Sequence, residues 1–121
     1  MVKTIMIVED EQSYHDLYTT MLEDTDYEII RAYDGDEALE RLEEKRPDLI
    51  ILDILLDMVT GDTFFLYLKG MPEYADIPII ILSNSSQRDY KNLNKMDPKL
   101  VFLSKKITKE RLIREIKAKI G

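Results

Sequence analysis

The sequence predicts one α/β domain, a doubly wound parallel sheet of five strands with five helices. Three observations carry that prediction. Short apolar runs alternate with segments of helical period along all 121 residues. Pro47, Pro72, Pro78 and Pro98 fall between helix and strand, as breakers should. No break in composition and no internal repeat divides the chain, which is long enough for one sizeable core.

Each element has its own signature. Thr4–Val8 is a continuous apolar strand, followed by a helix whose stripe is Tyr14, Leu17, Tyr18, Met21 and Leu22. His15, among polar neighbours, reads as a surface side chain of that helix. Tyr27–Ala32 is mixed, with Glu28 and Arg31 interleaved, and so reads as an edge strand. Asp34-Gly35-Asp36-Glu37 is turn and cap chemistry for a second helix carrying Ala38, Leu39 and Leu42. Leu49–Asp53 is the most hydrophobic strand, and Phe64, Phe65 and Leu68 mark the helix after it. Ile77–Leu82 is the fourth strand. The polar stretch Gln87–Asn94, anchored only by Tyr90 and Leu93, is the next helix. Leu100–Leu103 is the last strand, and Leu112, Ile113, Ile116 and Ile120 stripe the closing helix.

Composition removes several classes of function. A balance of 45% hydrophobic and 34% charged residues is that of a soluble globular protein. No apolar run is long enough to span a membrane, and the N-terminus shows no cleavable leader. With no cysteine there are neither disulfides nor thiolate metal sites, which fits a reducing cytoplasm. A net charge of −7 argues against direct nucleic-acid binding. The charge is uneven: eight Lys and Arg stand against two Glu from Lys99 onward, the pattern of the solvated face of an amphipathic helix. Four scattered glycines exclude a Gly-rich phosphate loop.

In doubly wound folds ligands sit outside the carboxyl ends of the strands. Those ends carry Glu9-Asp10-Glu11, Asp53, Ser83-Asn84-Ser85-Ser86 and Ser104-Lys105-Lys106. Taken singly, each has a plain structural reading, as a helix cap, a dipole-favoured acidic turn or a solvated lysine. Together they make a constellation. A carboxylate closing a buried strand costs several kcal/mol unless it is paired or bound to a cation. Clustered carboxylates repel one another, and a hard cation with oxygen ligands, Mg²⁺, relieves the repulsion. Asp53 is then placed to act as a nucleophile, with Ser83 and Lys105 holding the oxygens of an incoming phosphoryl group.

On these residues the whole chain resembles a receiver domain of two-component response regulators. The acidic pair Glu9-Asp10, Asp53 with Gly61 eight residues later, Ser83 thirty residues after Asp53, and Lys105 with Phe102 three residues before it all fall at family spacing. The resemblance implies a flavodoxin-like fold of strand order 2-1-3-4-5 and a single receiver domain over residues 1–121. Asp53 would be the phosphoacceptor. Mg²⁺ would be held by Asp10, Asp53 and the Leu55 backbone carbonyl, with Glu9 acting through a metal-bound water. Ser83 and Phe102 would form the switch. It further implies a sensor histidine kinase or histidine phosphotransfer protein as donor, and a downstream target or a separate output domain as receiver of the signal. Leu55 and Ser85 occupy the positions that tune hydrolysis in the family, and an apolar Leu55 implies a slow reaction.

Three positions depart from the family pattern. Lys106 replaces the usual proline after the lysine, where the bond is often cis; Asp57 replaces another proline; Asn84 replaces a small residue. These keep a second reading open, a phosphorylation-independent pseudo-receiver that binds proteins. A third reading, an aspartyl phosphatase resembling haloacid-dehalogenase-like enzymes, needs a second aspartate two residues after the first. That position is Leu55.

Overall fold

The computed structural model describes residues 2–53, 61–83 and 95–121. Five strands, β1 (Thr4–Val8), β2 (Glu28–Ala32), β3 (Leu49–Leu52), β4 (Ile79–Ser83) and β5 (Val101–Ser104), form one parallel sheet. Their order is β2-β1-β3-β4-β5, as the family resemblance implies. Four helices stand among the described residues: α1 (Gln12–Met21), α2 (Gly35–Glu44), α3 (Gly61–Lys69) and α4 (Lys109–Ile120). The helix expected over Gln87–Asn94 lies outside them.

Strand side chains alternate between two faces, and two core layers follow. Met6, Val8, Ile50, Leu52, Ile79 and Ile81 pack toward Ala38 and Leu42 of α2 and Phe64, Phe65 and Leu68 of α3. Ile5, Ile7, Leu49, Ile51, Ile80 and Leu82 pack toward Tyr18 of α1 and Leu112 and Ile116 of α4. This two-sided burial is why β1, β3 and β4 are near-continuous apolar runs, broken only by Thr4 and Ser83 at their ends, rather than alternating ones. The mixed strand β2 does lie at an edge, and its pattern is half-buried. β5 is the other edge; Val101, Phe102 and Leu103 are half-buried despite their apolar run.

Local chemistry sets the boundaries. Asp34 caps α2 by accepting the Glu37 amide at 2.8 Å, and Glu37 reaches back to the Tyr33 amide at 2.8 Å. Thr108 caps α4 by accepting the Arg111 amide at 3.2 Å. β4 begins at Ile79 rather than Ile77, because the Ile77 amide closes a turn onto the Tyr74 carbonyl. β5 likewise starts one residue late, since the Leu100 amide is taken by the Asp97 carbonyl.

Two sequence expectations are corrected on α1. Leu17 is 41% exposed rather than part of the buried stripe. His15, expected at the surface, is 0% exposed. The reason lies in the backbone: its ring reaches two carbonyls at the carboxyl ends of β1 and β2, six and seventeen residues away, as described below.

Candidate phosphoryl-accepting site

The register of the sheet brings the site together. Val8 pairs with Leu52, and the Asp53 amide adds one more rung by donating to the Val8 carbonyl at 2.9 Å. Glu9 and Asp10 therefore leave β1 alongside Asp53 leaving β3. One carboxylate oxygen from each of Glu9, Asp10 and Asp53 lies within 4.8 Å of the others. Lys105, just past β5, crosses the top of β4 to reach them. Its Nζ is 2.7 Å from Glu9 Oε1 and 2.9 Å from Asp53 Oδ2. Glu9, Asp53 and Lys105 are all buried, at 1%, 4% and 5% exposure.

Such a buried charge cluster is held only by mutual pairing. Glu9 Oε2 accepts the Glu11 amide at 3.1 Å. Glu9 Oε1 faces Lys105 as an ion pair, without an aligned hydrogen-bond partner among the described residues. Burial, with the Asp10 carboxyl beside it, pushes the Glu9 carboxyl up to about 7, against the pull of Lys105 and the Glu11 amide. Burial alone would lower the Lys105 ammonium, but its contacts with Glu9 and Asp53 outweigh it and raise the group. Lys105 thus keeps its charge, while the Glu9 carboxyl holds its proton more tightly than an ordinary glutamate.

Ser83 closes β4, opposite Ser104 of β5, and is 8% exposed. Its carbonyl accepts the Lys105 amide at 3.4 Å. Phe102 pairs with Ile81 below the rim and packs, half-buried, against the core layer of α2 and α3. The Lys105–Lys106 bond is trans, as are all peptide bonds among the described residues. Leu55, Asp57, Asn84 and Ser85 lie outside the described residues.

Two contributors escaped the sequence reading. His15 Nε2 lies 2.6 Å from the Glu9 carbonyl and 3.2 Å from the Ala32 carbonyl, so two acceptors place the proton there. Burial holds this imidazole below its ordinary range, hence neutral. The ring packs on Tyr33 at 4.3 Å, and its Nδ1 has no partner among the described residues. His15 therefore pins the backbone from which Glu9 projects. The second is Tyr14, whose ring centroid is 4.2 Å from Lys105 Nζ. The helical period alone places it in an apolar stripe. No sequence signal distinguishes either residue, since their partners are backbone carbonyls and a lysine 91 positions on.

Comparison with known proteins agrees with the geometry. Residues 5–117 match the model of the response regulator receiver domain, and the chain belongs to that family. It is 35% identical to the polar-differentiation response regulator DivK of Brucella anthropi, over all of this chain and 98% of that protein. It resembles the Vibrio cholerae chemotaxis protein CheY4 with a TM-score of 0.90 and 26% identity, covering 99% of this chain and 100% of the other. The signal receiver domain of a Syntrophus aciditrophicus signal transduction histidine kinase is similar at a TM-score of 0.85 and 31% identity, over 97% and 89% of the two chains. The protein is therefore a two-component receiver domain, a signalling domain with the flavodoxin-like fold. No helix among the described residues is long and apolar enough to cross a membrane.

Proposed function

We propose that the 121 residues form one receiver domain that accepts a phosphoryl group on Asp53 in a Mg²⁺-dependent reaction. The observation that carries this reading is the convergence of three carboxylates on one buried point with a lysine ammonium against them. The donor set fits the metal. It is all oxygen, and Glu9 Oε1 is a buried oxygen whose only partner among the described residues is an ammonium, so a cation has an acceptor to take over. Glu9, Asp10 and Asp53, with the Leu55 carbonyl, would hold the ion, which supplies positive charge against the crowded carboxylates and phosphoryl oxygens.

The chain's own groups do the rest. An Asp53 oxygen attacks the phosphorus of a phosphohistidine or small acyl phosphate. The new P–O bond forms as the bond to the leaving imidazole or carboxylate breaks, and the imidazole takes up a proton. Lys105 and Ser83 bind the phosphoryl oxygens, whose charge and number exceed those of a carboxylate. Drawing Ser83 toward that group leaves room for Phe102 to change rotamer, and the surface around β5 and α4 changes with it. The donor is a sensor histidine kinase or phosphotransfer protein; the reader is a target protein or a separate output domain, in the cytoplasm.

The test is intact mass after incubation with acetyl phosphate. One phosphoryl increment with Mg²⁺, lost with chelator and in Asp53→Asn, is the expected result. A pseudo-receiver is the second reading, favoured by the bond that Lys105 makes to Asp53 Oδ2, an oxygen of the very carboxylate that would be modified. An unmodified wild-type mass under these conditions selects it.

A further inference from the structure

Lys105 is enclosed on more than its two acidic sides. Glu9 and Asp53 take two directions around Nζ, and the face of Tyr14 stands over a third at 4.2 Å. The lysine side chain is only 6% exposed, so the ring occupies space where an ammonium elsewhere keeps water. An aromatic face attracts a cation through its quadrupole, most strongly where water is excluded. Tyr14 is itself braced. Its ring stacks on Tyr18 one turn along α1, with centroids 5.8 Å apart and planes 27° from parallel. Tyr18 is buried at 1% exposure in the core layer of α1 and α4, so the brace is anchored in the fold.

We propose that Tyr14 is a positioning residue for Lys105, holding the ammonium at the rim by its ring face while the charge of the carboxylate cluster changes. This rests on the phosphoryl-accepting reading of Asp53. A divalent cation entering among Glu9, Asp10 and Asp53 competes for the lysine's two carboxylate partners and repels it. A lysine side chain held by those carboxylates alone would swing toward solvent. The Tyr14 face carries no net charge and ligates no metal, so its hold persists when the carboxylates are taken. Lys105 then remains where phosphoryl oxygens arrive. Two consequences have opposite sign: the ring makes metal entry harder, because it keeps the ammonium beside the entering cation, and makes phosphoryl acceptance easier. A Tyr14 that merely fills an apolar stripe would do neither.

The experiment compares Tyr14→Leu, Tyr14→Met and Tyr14→Phe in the full chain. In wild type the Lys105 ε-methylene protons should show an upfield ring-current shift that disappears in Tyr14→Leu and Tyr14→Met. In those two variants Mg²⁺ should bind about 2- to 5-fold tighter while phosphorylation by acetyl phosphate slows about 3- to 10-fold. Tyr14→Phe, which keeps the face and loses the hydroxyl, should restore all three readouts. The proposal is overturned if the wild-type lysine shows no ring-current shift. It is equally overturned if affinity and rate stay at wild-type values or fall together, as general loosening would make them. Should Tyr14→Leu fail to fold, the unbranched methionine variant and the wild-type shift still decide. A wild type that takes no phosphoryl group overturns the reading of Asp53 instead, and leaves the shift and the Mg²⁺ affinity to judge Tyr14.

Discussion

The two ends of the sheet use the same ingredients to different ends. At the carboxyl rim, Glu9, Asp10, Asp53 and Lys105 converge from β1, β3 and β5 onto one point. At the amino rim, Lys69 pairs with Asp97 at 3.0 Å, with side chains 14% and 17% exposed. There the remaining demand is met by the backbone. Lys69 Nζ also donates to the Ala75 carbonyl at 3.0 Å, Lys119 Nζ to the Lys99 carbonyl at 2.7 Å, and Asp48 accepts the Thr4 amide at 2.7 Å. The amino rim is charge spent on closing turns and strand ends. Among the described residues the carboxyl rim carries three acids against one base, with a buried Glu9 oxygen lacking an aligned hydrogen bond. That crowding of acid is the feature on which the proposed cation site rests.

Three measurements would break or sharpen this contrast. The largest effect is expected from Lys105→Ala without Mg²⁺ at about pH 8, where buried carboxylates lose their base. Stability in urea should fall by about 3–5 kcal/mol and recover when millimolar Mg²⁺ is added. A loss that Mg²⁺ does not repair would mean the lysine is a packing residue and the rim is not a cation site.

The second measurement follows Glu9. Its carboxyl is raised by burial from the ordinary 4.5 to about 7. Between those values the folded chain keeps a proton that the unfolded chain has released, so stability from this group falls as pH rises through that window. Metal-free wild type should lose on the order of 2 kcal/mol across it, and Glu9→Gln should flatten that part of the profile. A Glu9→Gln profile parallel to wild type would show that Glu9 is not the titrating group.

The smallest effect belongs to the other end. Lys69→Met should cost about 1–2 kcal/mol, mostly from leaving Asp97 and the Ala75 carbonyl without their donor. Phosphorylation by acetyl phosphate should be unchanged. A slowed rate in this variant would erase the distinction between the two rims.

Much of this was legible in the sequence, for reasons that can be named. Strands buried on both faces need near-continuous apolar runs, and β1, β3 and β4 supply them. Asp53 was visible because a carboxylate ending such a run has no cheap structural reason, and the rim rule then gathered Glu9, Asp10, Ser83 and Lys105 around it. What failed to show was whatever depends on where a side chain turns. His15 sits in a polar stretch and is buried because two carbonyls at the ends of β1 and β2 need a donor, a demand written in the backbone. Leu17 follows the helical period yet falls beyond the sheet's reach and is exposed. Tyr14 had a sufficient reason in its stripe, and its contact with Lys105 exists only once β5 is placed against the sheet.

The backbone rungs at the rim are unequal. The Asp53 amide is bound to the Val8 carbonyl at 2.9 Å, while the Lys105 amide reaches the Ser83 carbonyl only at 3.4 Å. Mechanically this makes a vice. The jaw that carries the three acids is bolted to the middle of the sheet, and the jaw that carries Phe102 and Lys105 rides on a slacker joint to Ser83 at the edge. On the phosphoryl-accepting reading, a group entering between them would load the second jaw, and with it the outer surface of β5, before the first.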